Sequence, residues 1–145
     1  MDVAPGKPGS YVAGSVVKPL NDPVDCGEAL GYSSHAMGAE PIQVVVVIVT
    51  AASQEEAVKI ADEVVRSRLA ACASTISTVR STYWWGGKMM NDQESLLLIK
   101  TTSDKFNSLE EAIRKIHSYK VPEIIAIPVS HGFPPYLEWV HQETS

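Results

Sequence analysis

The sequence predicts an α+β sandwich of order β-α-β-β-α-β, with a long hairpin and a short C-terminal helix. Three observations carry this. Apolar residues recur with period 2 in some segments and period 3.6 in others, and the two kinds alternate along the chain. Gly86-Gly87 joins two long strand-like segments, and glycine tolerates the positive φ that a tight hairpin turn demands. Residues 1–41 lack either period and are punctuated by proline and glycine.

The β-branched run Ile42–Val49 reads as a buried strand. Ser53-Gln-Glu-Glu follows, a capping box with Glu56 three residues after the cap. The helix it opens places Ala57, Ile60, Ala61, Val64, Val65 and Leu69 on one face, with Arg66 and Arg68 in its last turn. A second strand runs from about Ala71 to Trp85, and a third from about Lys88 to Thr102. Ser103 or Asp104 is expected to cap a second helix that buries Phe106, Leu109, Ile113 and Ile116. Pro122 enforces an extended approach to a fourth strand, Ile124–Val129. Pro134-Pro135 pre-set a last helix carrying Tyr136, Trp139 and Val140. This order is the split βαβ, or ferredoxin-like, pattern. Residues 42–145 therefore form the folded domain, and residues 1–41 a flexible Pro/Gly-rich tail of charge −3.

In such a fold two helices cover one sheet face, and the other is polar unless something covers it. Here the strands are apolar on both faces. Val44, Val46 and Ile48 alternate with Val45, Val47 and Val49; Leu96 and Leu98 with Leu97 and Ile99; Ile125 and Ile127 with Ile124 and Ala126. A monomer would expose a large apolar surface, so the pattern predicts a homo-oligomer. The net charge is −5 and no basic stripe is present, which disfavours nucleic acid. The longest fully apolar run, Val44 to Val49, is too short to insert across a membrane as a helix. The two cysteines, Cys26 and Cys72, form no CxxC, and a reducing cytoplasmic setting is expected.

Several blocks occur in order: Leu-Ala-Ala-Cys-Ala (69–73), Tyr-Trp-Trp-Gly-Gly-Lys (83–88), Leu-Ile-Lys-Thr-Thr (98–102), His-Ser-Tyr-Lys-Val-Pro-Glu (117–123) and Tyr-Leu-Glu-Trp (136–139). Over about residues 42–145 the chain resembles the CutA family of divalent-cation tolerance proteins. The resemblance implies a ferredoxin-like subunit related in shape to the PII signalling proteins. It also implies a homotrimer in which the long hairpin reaches a neighbour, and tolerance to copper and other divalent cations through metal binding. Eukaryotic relatives are linked to anchoring of another protein. No enzymatic reaction comes with the family, and no obligatory cofactor; Cu2+ or another divalent cation is the expected ligand. Cys72, Trp85, Glu94, Lys100 and Tyr119 match positions that line an intersubunit cleft.

The residues themselves support two readings at most positions. The Cys72 thiolate is a soft ligand suited to copper, and free cysteine is also a common small core residue. His117 offers imidazole to a metal or finishes a helix C-terminus. Glu123 binds a cation or anchors loop amides. Some bacterial relatives carry two adjacent histidines and a first-strand cysteine; here Ile116 and Val49 stand there. Glu94 and Lys100 share a strand face by even spacing, and form either a ligand site or an interface ion pair. Tyr83, Trp84, Trp85, Tyr136 and Trp139 supply rigid area for packing between subunits. No Ser-His-Asp or Cys-His signature marks an enzyme. A small anionic metabolite bound PII-fashion, or an adaptor role, is the alternative to metal binding; Gly86-Gly87 is a hairpin turn rather than a phosphate loop.

Overall fold

Valine and isoleucine dominate β1 (Val44–Ala51), which lies inside a four-stranded sheet. It pairs antiparallel with β3 (Lys88–Thr102) on one side and with β4 (Ile124–Pro128) on the other. Strand β2 (Cys72–Trp85) pairs antiparallel with β3 at the far edge, giving the order β2-β3-β1-β4. The computed structural model describes residues 41–145; the expected tail lies, apart from Pro41, outside the described residues. Helices α1 (Gln54–Arg66) and α2 (Phe106–Ile116) complete the ferredoxin-like fold, and α3 (Pro134–Glu143) follows. No described helix is long and apolar enough to cross a membrane.

The two helices cover one face. Val45, Val47, Val49 and Ala51 of β1 meet Leu97 and Ile99 of β3 in a core closed by Ala57, Ile60 and Val64 of α1 and Phe106, Leu109 and Ile113 of α2. Register places Val46, Ile48, Leu96, Leu98, Ile125 and Ile127 on the opposite face. There Ile125 and Ile127 are 49 % and 50 % exposed. Helix α3 lies across one end of that face. It buries Val140 and brings the Thr144 hydroxyl to 3.4 Å from that of Thr102, which pairs with Val44.

Pairing of β1 with β3 stops at Ala51–Ser95, whereas β2 and β3 continue to Trp85–Lys88. The hairpin therefore outruns the sheet by about 20 Å as a two-stranded arm. A register shift between Ile76 and Val79 sits at its root, where Ser95 Oγ donates to the Ser77 carbonyl at 2.8 Å. Gly86 and Gly87 both have positive φ, 54° and 79°, as a type I′ turn requires. The exposed pair Trp84 and Met89 faces outward beside this turn, at 73 % and 63 % exposure.

Several local expectations need correction. Strand β1 begins at Val44 and runs on to Ala51, because its ladder with β3 persists to Ser95. Ser53 does cap α1, accepting the Glu56 N–H at 3.2 Å, but the Glu56 carboxylate turns to Ala52 N–H rather than to the cap itself. Val65 is exposed, one position outside the buried stripe of Ala57, Ile60 and Val64. Arg68 and Leu69 lie beyond the helix; Arg68 takes φ 61° and its side chain pairs with Glu143 of α3. Neither Ser103 nor Asp104 caps α2. Ser103–Lys105 form a short 3-10 turn, and Ser103 Oγ instead accepts the N–H of Gln43 at 3.0 Å.

The Glu56 carboxylate also holds the loop after α2. It accepts the Ser118 N–H, the Ser118 hydroxyl at 3.1 Å and the Ala52 N–H at 2.9 Å. Burial by itself raises this carboxyl, but the hydrogen bonds from Ser118 and Ala52 outweigh burial and hold it below its ordinary value. A carboxyl held lower in the folded than in the unfolded chain stabilises the fold above its unfolded value. That contribution disappears as pH falls through the lower folded value.

Two outcomes follow from this packing. Leu97→Ala, in the fully buried centre of the core, should cost about 3 kcal/mol in urea unfolding; a loss within the error of the fit contradicts the assignment of that face. Between about pH 5 and pH 3, urea midpoints of the native chain should fall more steeply than those of Glu56→Gln, and parallel slopes would remove the Glu56 tie from the account.

Candidate functional site

The first cluster lies on the open face where α3 crosses it. Cys72 opens β2 and pairs with Lys100 of β3, so the two side chains share that face. The thiol is free and half-buried, 4.0 Å from Ser74 Oγ. Lys100 Nζ donates to Ser74 Oγ at 2.7 Å and to the Leu98 carbonyl at 3.2 Å. Among the described residues it has no carboxylate partner. Tyr136 of α3 closes the cluster: burial raises its phenol, and negative charge on Cys72 raises it further. Its ring is 5.5 Å from that of Trp139.

The second cluster sits at the root of the hairpin arm. Glu94 is 3 % exposed, and its Oε1 accepts the Tyr119 hydroxyl at 3.0 Å. Its Oε2 is buried with no hydrogen-bond partner. Two residues along the same strand face, Asp92 accepts the Tyr83 hydroxyl. Hydrogen bonding to Asp92, with a smaller contribution from burial, pushes the Tyr83 phenol up to about 12. Burial and the bond to Glu94 raise Tyr119 as well. Both phenols are therefore neutral donors at neutral pH.

His117 is buried between these elements. One ring nitrogen, Nε2, lies 2.8 Å from the Thr50 carbonyl and donates to it; the other, Nδ1, accepts the Tyr119 N–H at 2.9 Å. This pattern requires the neutral imidazole with its proton on Nε2. Within one chain, then, neither nitrogen offers a lone pair to a metal. The side chain joins α2 to the end of β1, while its backbone N–H finishes α2 on Ile113. Glu123 is half-buried on the approach to β4 and makes no side-chain hydrogen bond among the described residues.

Cys72 and His117 lie towards opposite ends of the sheet, since Lys100 pairs with Val46 and Leu96 with Thr50. Among the described residues no three His, Cys, Asp or Glu side chains gather into a metal-holding group. Cys72, His117 and Glu123 thus do not form a ready site within one chain. The cleft residues divide likewise. Lys100 stands with Cys72, and Glu94 with Tyr119 about 20 Å along the strand, so the two are not paired. Trp85 is half-buried at the end of the arm opposite Lys88, away from both. Sequence reading missed Asp92 and Ser74, and read Glu56 only as half of a capping box rather than as the anchor of Ser118. Even spacing from Glu94 marks Asp92, and pairing of Leu98 with Ser74 marks the latter only once register is known.

A family model for "CutA1 divalent ion tolerance protein" matches residues 45–143. "Protein CutA" of Mus musculus is 46% identical over 88 residues, 61% of this chain and 50% of that protein. The "divalent-cation tolerance protein CutA" of Thermus thermophilus is 43% identical over 90 residues, 62% of this chain and 87% of that protein. The match thus spans about half the length of the mouse relative and most of the bacterial one. The solved structure of the Thermus thermophilus protein superposes with TM-score 0.69 at 42% identity, covering 70% of this chain and 99% of that one. A protein described as the periplasmic divalent cation tolerance protein CutA from Archaeoglobus fulgidus superposes with TM-score 0.69 at 33% identity, with 70% and 99% covered. Five sequence blocks, the fold they predict and this family match agree: the chain belongs to the CutA1 divalent ion tolerance protein family.

Proposed function

We propose that this protein is a homotrimer that binds divalent metal ions, copper among them, and serves in tolerance to those ions. The carrying observation is the apolar sheet face that α1 and α2 leave uncovered, with an arm projecting past the sheet. An isolated two-stranded ribbon is marginal in water, so the arm needs a neighbour to pack on, and the face needs a cover. Other copies of the chain supply both. The names of the relatives support the metal part, and Cys72 is the soft donor available for it. Because no three His, Cys, Asp or Glu side chains gather at Cys72 among the described residues, a neighbouring copy completes its coordination. His117 joins only where the Tyr119 N–H releases Nδ1, and the Glu123 carboxylate has no hydrogen-bond partner among the described residues. The compartment we propose is the cytoplasm, where a free thiol stays reduced.

One observation favours a second reading. Lys100 is a half-buried cation among hydroxyl and carbonyl oxygens with no counter-charge among the described residues. In a PII-like sensor it would take the anionic group of a small ligand, with the trimer as adaptor.

Calorimetric titration of the assembled protein with Cu2+ and Zn2+ separates these readings. Cys72→Ser should weaken Cu2+ binding by at least about tenfold. His117→Ala should lower the melting temperature yet leave that affinity in place, because its ring serves the fold. Unchanged Cu2+ affinity in Cys72→Ser would sink the thiol site.

A further inference from the structure

The loop after α2 carries a serine held by an acid and flanked by bases. Ser118 is exposed and directly follows the buried His117. Its N–H and its hydroxyl both donate to the Glu56 carboxylate, the hydroxyl at 3.1 Å. Lys115 stands three residues before it and Lys120 two after, and Arg114 precedes Lys115. Charge around the hydroxyl is what protein kinases read in choosing a substrate, and an exposed loop serine among cations suits the basic-directed ones.

A second observation concerns where a phosphate would go. A pocket beside the loop is lined by Glu111, Arg114, Lys115, Tyr119, Lys120 and Pro122, three cationic side chains to one carboxylate. Arg114 and Lys115 are engaged by exposed ion pairs one helical turn back, to Glu110 at 3.5 Å and to Glu111 at 3.1 Å. Exposed pairs of that kind are weak, and a phosphate makes stronger charge-assisted bonds.

We propose that Ser118 is a phosphorylation site, and that its phosphate moves the loop from Glu56 to this basic pocket. In the transfer, Ser118 Oγ bonds to the γ-phosphorus of ATP. The bond from that phosphorus to the oxygen bridging the β- and γ-phosphates breaks, ADP leaves, and the hydroxyl proton passes to the kinase. The unmodified hydroxyl is a donor to Glu56. At neutral pH a phosphoserine carries about −1.5 to −2 charges and accepts rather than donates. Beside a carboxylate it is repelled; beside Arg114, Lys115 and Lys120 it gains hydrogen bonds. Movement of the loop also takes the Ser118 N–H off Glu56, which keeps the Ala52 N–H at 2.9 Å. Tyr119 is the next residue, so its hydroxyl contact with Glu94 at the root of the arm loosens with the loop. Ser67 also lies between basic residues, Arg66 and Arg68. Its hydroxyl donates to the Glu63 carbonyl at 2.7 Å at the C-terminal end of α1, where the helix dipole opposes added negative charge. The switch uses groups separate from Cys72 and stands or falls apart from the copper reading.

The test treats the full assembled chain with ATP and the catalytic domain of protein kinase C, which takes serine between basic residues. Peptide masses should place the phosphate on Ser118, and Ser118→Ala should lose it. In the phosphorylated protein, hydrogen exchange at the Ser118 amide should quicken by at least about tenfold, while exchange at Ala52 stays as it was. The phosphorus NMR resonance of the phosphoserine should titrate below its free value of about 6, and Lys120→Ala, phosphorylated to completion, should return it towards that value. No phosphate on Ser118 of the assembled chain, or phosphate on Ser67 in its place, overturns the proposal. So does Ser118 amide exchange that phosphorylation leaves unchanged, since Glu56 would then still hold the loop. A phosphate that titrates at its free value in the native sequence removes the basic pocket as its receptor and overturns the switch.

Discussion

A sheet made of strands that are apolar on both faces must be covered twice, and two helices cover this one only once. Val45, Val47, Val49, Leu97 and Ile99 find α1 and α2, while Val46, Ile48, Leu96 and Leu98 alternate with them and meet no helix except at the end under α3. The same β-branched content that stabilises the strands creates the uncovered face, because the side-chain period of a strand is two. The arm adds to this demand. It leaves the sheet where β1 ends and carries Trp84 and Met89 outward with no third strand behind them. Single-chain stability and assembly are thus set by one property of the strands, and only the helix-facing half is satisfied internally.

Chemistry-bearing residues are placed by the seams of this arrangement. The loop after α2 is fastened at three points within three residues: His117 to the Thr50 carbonyl, Ser118 to Glu56, and Tyr119 to Glu94. The first two bind it to the end of β1 and the start of α1. The third reaches the arm. The loop thus ties the root of the arm to the sheet, beside the β2–β3 ladder that runs through both. At the other end, α3 closes over Cys72 and Lys100, so the thiol environment depends on the last helix and on its Arg68–Glu143 tie.

The sequence made the element order, the hairpin turn and the two-faced strands legible, because periodicity and a Gly-Gly pair are local signals. The uncovered face followed from alternation alone. Local signals failed where the partner was remote. His117 reads equally as ligand or helix end until its ring is seen on a backbone carbonyl 67 residues away. The second half of the capping motif failed for a similar reason: the Glu56 carboxylate is engaged by Ser118 across 62 residues, and this tertiary bond draws it from the cap. Even spacing correctly put Glu94 and Lys100 on one face, yet said nothing of separation, and the length of strand between them gives each a different set of neighbours. Asp92 escaped notice because a single carboxylate on an arm is ordinary until its buried neighbour lacks a partner.

Whether copies of the chain cover the open face is best tested by light scattering on the eluting protein, with dilution. A chain of 15.7 kDa should elute at the mass of three chains and hold that mass on dilution, while Ile48→Lys, which puts charge in the middle of the open face, should abolish the species. A native chain that is soluble and monomeric, with no dye-accessible apolar surface, would contradict the account at its foundation.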